Sequence, residues 1–402
     1  MAVDLDDVAR AAERIADDVV RTPTLRSRTL SAIVGGEVFL KFENLQFTGS
    51  FKDRGAANHL LALAPADRSA GLAALSAGNH AQGVAHIAGR LGVPATIVMP
   101  ATAPFTKVVD TRALGARVVQ AGATLAEARS ELEELCRVEG LRPVPPFDDP
   151  DVIAGQGTAA LEMLDDVPDL DALVAPVGGG GLLAGMATVA RARRPDIELI
   201  GVQVESCGPV AEAFGHLPPS DVPADTLADG IAVKYPGRLT MPIIRGRVDD
   251  VVLVSEEQTE RAIALYLEIE KTVAEGAGAV SLAAVLADPE RFAGRRVGVV
   301  LSGGNIDARV LASVLMRGLV RTDRVSTLRV EIGDVPGQLA PVLAAVADAG
   351  ANLIEVDHRR LFDPISARSA KVDLVLETRD ANHRAEVVEA IVALGRSVEV
   401  VG

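Results

Sequence analysis

From residue 71 onward the chain repeats one pattern: a short continuous run of Val, Ile, Leu and Ala, a turn containing glycine, then apolar positions at helical spacing. Such uninterrupted apolar runs read as strands buried on both faces, which is how parallel strands look. The spacing predicts strands over 72–75, 95–99, 117–119, 173–177, 199–204, 251–254 and 297–301. Helices are expected over 81–91, 105–114, 123–139, 157–164, 182–193 and 256–271. Ahead of the series, residues 1–21 read as an amphipathic helix rich in Asp, and 37–42 alternate well enough for a strand. The result is an α/β layer structure with parallel sheets. The proline-rich run Arg142-Pro143-Val144-Pro145-Pro146-Phe147 marks a crossing between subdomains.

Near 317–326 this rhythm stops and a charged link begins. Residues 327–402 then read strand, helix, strand, strand, helix, strand. The first helix starts after Asp334-Val335-Pro336-Gly337-Gln338-Leu339, the middle strands cover 352–358 and 371–377, and the last helix covers 384–394. That is the order of a ferredoxin-like βαββαβ unit, long enough to form a separate small domain.

Composition narrows the function. A chain of 402 residues, 49% hydrophobic and 24% charged, is an ordinary globular protein of two or three domains. Its net charge of -15 offers no basic patch to neutralise nucleic-acid phosphates. Two cysteines, Cys136 and Cys207, with no CxxC spacing, make neither a disulfide framework nor a zinc site and fit a reducing cytosol. No apolar span is long enough to cross a membrane and no signal-type segment opens the chain. The expectation is a cytoplasmic protein without a membrane or nucleic-acid partner.

Four stretches carry candidate chemistry. The chain has six lysines against 34 arginines, so positive surface charge is carried by arginine and a lysine can be kept for its amine. Lys52, in Gly49-Ser50-Phe51-Lys52-Asp53-Arg54-Gly55, is the one flanked by small residues and an aromatic ring. A desolvated lysine amine can lose its proton and attack an aldehyde, which a guanidinium cannot do. A Lys-Asp-Arg run can equally decorate a helix start. Ser76-Ala77-Gly78-Asn79-His80 follows a strand and opens a helix, a place suited to a carboxylate or to a simple N-cap with a satisfied histidine. Gly178-Gly179-Gly180-Gly181-Leu182 lies between another strand and helix; four glycines can turn successive N–H groups onto a phosphate. It is neither a GxGxxG fingerprint nor a Walker loop. Ser302-Gly303-Gly304-Asn305 presents a hydroxyl at a third strand end. An amine, a phosphate cradle, a carboxylate cradle and a neutral hydroxyl together suit pyridoxal 5'-phosphate and an amino acid.

With these stretches, Thr226-Leu227-Ala228-Asp229-Gly230 and Glu275-Gly276-Ala277-Gly278-Ala279, the chain resembles the threonine dehydratases (threonine ammonia-lyases) among the fold-type II pyridoxal phosphate enzymes. The C-terminal unit resembles an ACT domain through Asp334, Pro336, Gly337, Leu339, Gly350 and Asn352. The resemblance implies a catalytic domain over 1–318, with a small subdomain of about 45–145 inserted in a larger one, and an ACT domain over 326–402. It implies that Lys52 holds the cofactor through its amine and acts as the Cα base, that Phe51 flanks the ring, and that Asn79 bonds the ring's phenolic oxygen. Gly178, Gly179, Gly180, Gly181 and Leu182 would take the phosphate and Ser302 the pyridine nitrogen. Gly230 and Glu275 would line the cofactor site. Ser76, Ala77, Gly78, Asn79 and His80 would receive the substrate carboxylate, and Gly337, Gln338, Leu339 and Asn352 an effector such as isoleucine or valine. The implied reaction is β-elimination of water from L-threonine, or from L-serine, in a homodimer or homotetramer. Serine racemases of this fold carry a second serine where Ala77 stands. Their divalent-metal site matches here at Glu205 but not at Ala211, so no magnesium or calcium dependence is expected.

Overall fold

Three neighbouring parallel strands decide where every loop of interest emerges. In the larger sheet the order is Thr24–Ser27, Glu37–Phe42, Arg296–Leu301, Ala172–Pro176, Glu198–Val204, Asp250–Val254. All neighbours run parallel except the first pair, which is antiparallel. Phe42 pairs with Leu301, and Val299 with Val174, so the loops after Phe42, Leu301 and Pro176 leave one edge of the sheet side by side. That is the edge where parallel sheets bind ligands. A second parallel sheet, Arg117–Gln120, Ala95–Met99, Leu72–Leu75, Arg142–Pro143, lies in the same unit and carries the loop 76–80.

The computed structural model describes residues 3–216, 226–359 and 368–401. The chain divides into the units Met1–Ile306 and Asp307–Gly402. The helix Ala308–Arg321 therefore goes with the second unit, earlier than the expected break after 318. Among the described residues no helix is long and apolar enough to cross a membrane.

One helix spaces the first unit. Pro150–Asp166, longer than the expected 157–164, packs against the helix Lys52–Ala62 on one side and Gly181–Arg193 on the other. Small residues permit both crossings: a Cβ at Gly155 would lie 2.9 Å from the Gly55 Cα, and one at Gly185 would lie 2.6 Å from the Gly157 nitrogen. The helix that opens at Lys52 and the helix that follows the tetraglycine run are thus set against a common support. A further helix, Gly276–Ala287, was not expected; it is buried from Gly276 through Val285.

The second unit contains a four-stranded antiparallel sheet in the order Asn352–Arg359, Ser369–Glu377, Val325–Gly333, Val398–Val401. Its helices, Leu339–Asp348 and Ala381–Val392, complete the βαββαβ order. Alternate residues Leu328, Val330 and Ile332 are buried with Val342, Val346, Leu374, Leu376, Val387 and Ile391. The period of two along 325–333 is what a strand with one covered face requires.

Candidate functional site

Lys52 opens its helix at the shared sheet edge. The run before it is tied to the serine turn: Ser50 bridges Gly303, and the Phe51 amide donates to the Ser302 carbonyl at 3.0 Å. The Lys52 Nζ donates to the Pro146 carbonyl at 2.8 Å and stands 5.2 Å from the centre of the Phe51 ring. Burial pulls its pKa down to about 8, with the Glu275 carboxylate opposing. An amine tuned this way is neutral often enough near pH 8 to act as nucleophile and base.

The next residue, Phe147, lies on the glycine loop. A Cβ at Gly179 would overlap Cγ, Cδ1 and Cε1 of the Phe147 ring about equally, an approach possible only through the ring face, and one at Gly181 would stand 3.0 Å from the Phe147 Cβ. Two adjacent residues therefore wall both the amine and the loop. The loop enters its helix through Gly180 at φ +98, a conformation that favours glycine. Gly179, Gly180, Gly181 and Leu182 are buried, and among the described residues no acceptor takes their amide hydrogens. Buried donors left unmet cost about 1–3 kcal/mol each. An anion at the helix start removes that cost, so the loop fits the phosphate of pyridoxal phosphate.

Asn79 is held from two sides. Its Oδ1 accepts from Asn305 Nδ2 at 2.8 Å and its Nδ2 donates to Glu275 Oε1 at 2.6 Å, which leaves one N–H for a ring oxygen. Asn305 Nδ2 also reaches the Thr48 carbonyl at 2.7 Å and Gln82 Oε1 at 3.1 Å. Burial, then the charge of Asp229, pushes the Glu275 carboxyl up to about 7. Gly230 stands beside it, since a Cβ there would lie 3.9 Å from Glu275 Oε1. Ser302 is buried, and its hydroxyl donates to the Ala277 carbonyl at 3.3 Å, a long bond readily exchanged for a ring nitrogen.

The loop at 76–80 is not a side-chain N-cap: Ser76 Oγ accepts from the Gly78 amide at 3.1 Å, and the cap residue Gly78 has no side chain. The amides of Asn79 and His80 have no acceptor among the described residues. The His80 ring is already engaged, its Nε2 2.9 Å from the Val144 carbonyl. Burial, then the nearby Lys52, lowers its pKa to about 3. This histidine is neutral and satisfied, so only its backbone can meet a carboxylate.

Pro146, Phe147 and Asn305 escaped sequence reasoning as site residues. The four expected effector residues fall at two places. Gly337, Gln338 and Leu339 line a cavity of about 260 Å³ with Asp334, Pro336 and His358. Asn352 does not join them; it lines a different cavity with Arg324, Glu377 and His383. The strand Asn352–Arg359 begins at one cavity and reaches the other only at His358, about 20 Å further on at strand rise.

Residues 15–303 match the family model for pyridoxal-phosphate dependent enzymes. The L-threonine ammonia-lyase of Thermotoga maritima is 43% identical over 401 residues, covering 100% of both chains. Among solved structures, a threonine deaminase from T.th. superposes with a TM-score of 0.72 at 43% identity, over 76% of this chain and 99% of that one. Maize serine racemase does so with a TM-score of 0.74 at 33% identity, over 80% and 99%.

Proposed function

The chain belongs to the pyridoxal-phosphate dependent enzymes, and from that premise we propose that it is a threonine ammonia-lyase: it eliminates water from L-threonine, and the enamine released takes a water back in hydrolysis to give 2-oxobutanoate and ammonia. L-Serine, which has the same β-hydroxyl, gives pyruvate. One observation carries the reading: the amine of Lys52 and the unpaired amides of the tetraglycine loop face one wall, Pro146 and Phe147.

Each residue has a task. When bound, pyridoxal phosphate supplies the electron sink that lets the Cα–H bond of an amino acid break. Gly178 to Leu182 would hold its phosphate, Lys52 its aldehyde carbon, Asn79 its phenolic oxygen and Ser302 its ring nitrogen, with Phe51, Gly230 and Glu275 lining the site. The free amides of Asn79 and His80, with Ser76 and Gly78, take the substrate carboxylate and so present the Cα proton to Lys52 Nζ. Lys52 accepts that proton. The neutral Ser302 hydroxyl would offer the ring nitrogen a hydrogen-bond partner without a charge. Ala77 offers no proton to the opposite face, and racemisation needs a donor on each face, so elimination is favoured. The residue six past Glu205, Ala211, is fully buried and carries no ligand atom.

Residues 326–402 of the second unit read as an ACT domain, supported by their βαββαβ order and strand order. Isoleucine or valine would bind at the turn of Gly337, Gln338 and Leu339, with His358 in place of Asn352. Edge strand Asn352–Arg359 exposes Ile354 and Val356 and suits pairing with a second copy, giving a homodimer or homotetramer.

A substrate panel with isoleucine titration tests both parts. We expect ammonia and 2-oxobutanoate from L-threonine, slower pyruvate from L-serine, no D-serine, unchanged rates in chelator, and a threonine KM that moves with millimolar isoleucine. Turnover of L-serine to D-serine with none of L-threonine would sink the lyase reading. A KM and thermal midpoint both indifferent to isoleucine and valine would sink the effector site.

A further inference from the structure

Residues 144–149 touch a different part of the site at almost every position. The Val144 carbonyl takes the His80 ring at 2.9 Å. The Pro146 carbonyl takes the Lys52 amine at 2.8 Å. Phe147 lays its ring on Gly179. The Asp148 carboxylate accepts the Arg238 and Leu239 amides at 2.9 and 2.8 Å. Asp149 caps the spacer helix Pro150–Asp166 and meets the His59 ring at 3.0 Å. Proline at 145 and 146 fixes two φ angles of this strap, so little freedom remains to absorb a change at its neighbours.

The glycine loop is shaped to this strap as much as to an anion. A Cβ at Gly179 has no room because the Phe147 ring occupies it. Behind the loop, Gly180 is closed off by Thr240, whose Oγ1 would lie 2.7 Å from an added Cβ and which donates to the Gly179 carbonyl at 2.7 Å. Phe147 in front and Thr240 behind leave the loop one position.

We propose that Phe147 is a positioning residue: its ring fixes the distance between the tetraglycine amides and the Lys52 amine, so that a molecule held at both places fits without moving either. The inference rests on the pyridoxal phosphate reading of the site. It concerns the phosphate end alone. Phe147→Ala therefore weakens the phosphorylated cofactor, while pyridoxal, which has an aldehyde and no phosphate, binds Lys52 as before.

The test is a spectrophotometric titration of the cofactor-resolved full chain with pyridoxal phosphate and, separately, with pyridoxal. Gly179→Ala should raise the pyridoxal phosphate Kd by about a hundredfold and Phe147→Ala by about tenfold. The double variant, in which the added methyl enters the space the ring vacated, should bind at least several-fold better than Gly179→Ala alone. Pyridoxal affinity should stay within about twofold throughout. Phe147→Leu, which keeps bulk, should fall between wild type and Phe147→Ala. Where Gly179→Ala alone does not fold, the double variant should fold and bind pyridoxal phosphate, because the ring that excludes the added methyl is gone. A double variant no better than the glycine variant alone overturns the proposal, as does equal loss of pyridoxal and pyridoxal phosphate affinity. Failure of the wild type itself to take up either aldehyde is a different outcome: it sinks the cofactor reading and the inference with it.

Discussion

Lys52→Ala lowers the rate of 2-oxobutanoate formation at least about 10³-fold, within the range that loss of a general base removes, and leaves the chain folded. The fold survives because the lysine amine is a cost where it stands. Burial has pulled its pKa down to about 8 and its partner is a single neutral carbonyl, Pro146. Alanine gives up one hydrogen bond and relieves a desolvated charge. The activity does not survive, because the remaining lysines lie elsewhere in the chain or are already committed: Lys41 to the Thr22 carbonyl and Glu162, Lys107 to Asp229. Steady-state assay of a variant with a wild-type thermal midpoint decides it, and wild-type turnover would remove Lys52 from the chemistry.

Arg54→Leu destabilises the chain by about 3–5 kcal/mol, the usual effect of removing one member of a buried ion network. Arg54 is completely buried and its guanidinium grips two carboxylates, Glu43 at 2.7 and 2.8 Å and Glu162 at 2.7 and 2.8 Å, with Thr158 Oγ1 at 3.0 Å. Lys41 joins through Glu162 at 2.5 Å. Two cations and two carboxylates balance; without Arg54 one buried negative charge is left over. Burial raises the Glu43 pKa, but Arg54, Lys41 and the Thr22 hydroxyl together outweigh it and hold this carboxyl below the usual range. A carboxyl depressed in the fold stabilises at neutral pH, and that contribution is lost as pH falls through the folded-state pKa. Arg54 sits in the first turn after Lys52, so the same grip fixes where the amine points. Lysine cannot substitute, since one ammonium cannot span two carboxylates in forked geometry. Denaturant melts should show the loss for both Leu and Lys variants. A shift below about 1 kcal/mol for Leu would mean that Glu43 and Glu162 find other partners or protons at little cost.

What the sequence made readable follows from where the physical signal lies. The strands ending at Leu301 and Pro176 are apolar runs with serine or glycine close behind, and the strand ending at Phe42 alternates ahead of Gly49 and Ser50, so the hydroxyl, phosphate loop and amine could be placed after strand ends. Their adjacency was not readable, because strand order is set by pairing between residues far apart in the chain. The helix Gly276–Ala287 was missed because Ala, Gly, Val and Leu on every side leave no period to detect. Pro146 acts through a carbonyl that any residue has, and Phe147 through a ring face whose partner is the absence of a side chain at Gly179. A proline-rich run reads only as a crossing. Asn305 was visible as part of a motif, but its three acceptors, Thr48, Asn79 and Gln82, lie more than two hundred positions away. The motif groups Asn352 with Gly337, and the length of the strand between the two cavities is visible only once the sheet is formed.

Reduction of the purified full-length protein with borohydride, followed by peptide mass analysis, tests the central claim most directly. The visible absorbance should bleach, and a reduced pyridoxyl-phosphate mass should appear on the peptide containing Lys52 and on none containing Lys41, Lys107, Lys234, Lys271 or Lys371. A protein that takes up pyridoxal phosphate with no label at Lys52, or with the label on another lysine, would contradict it.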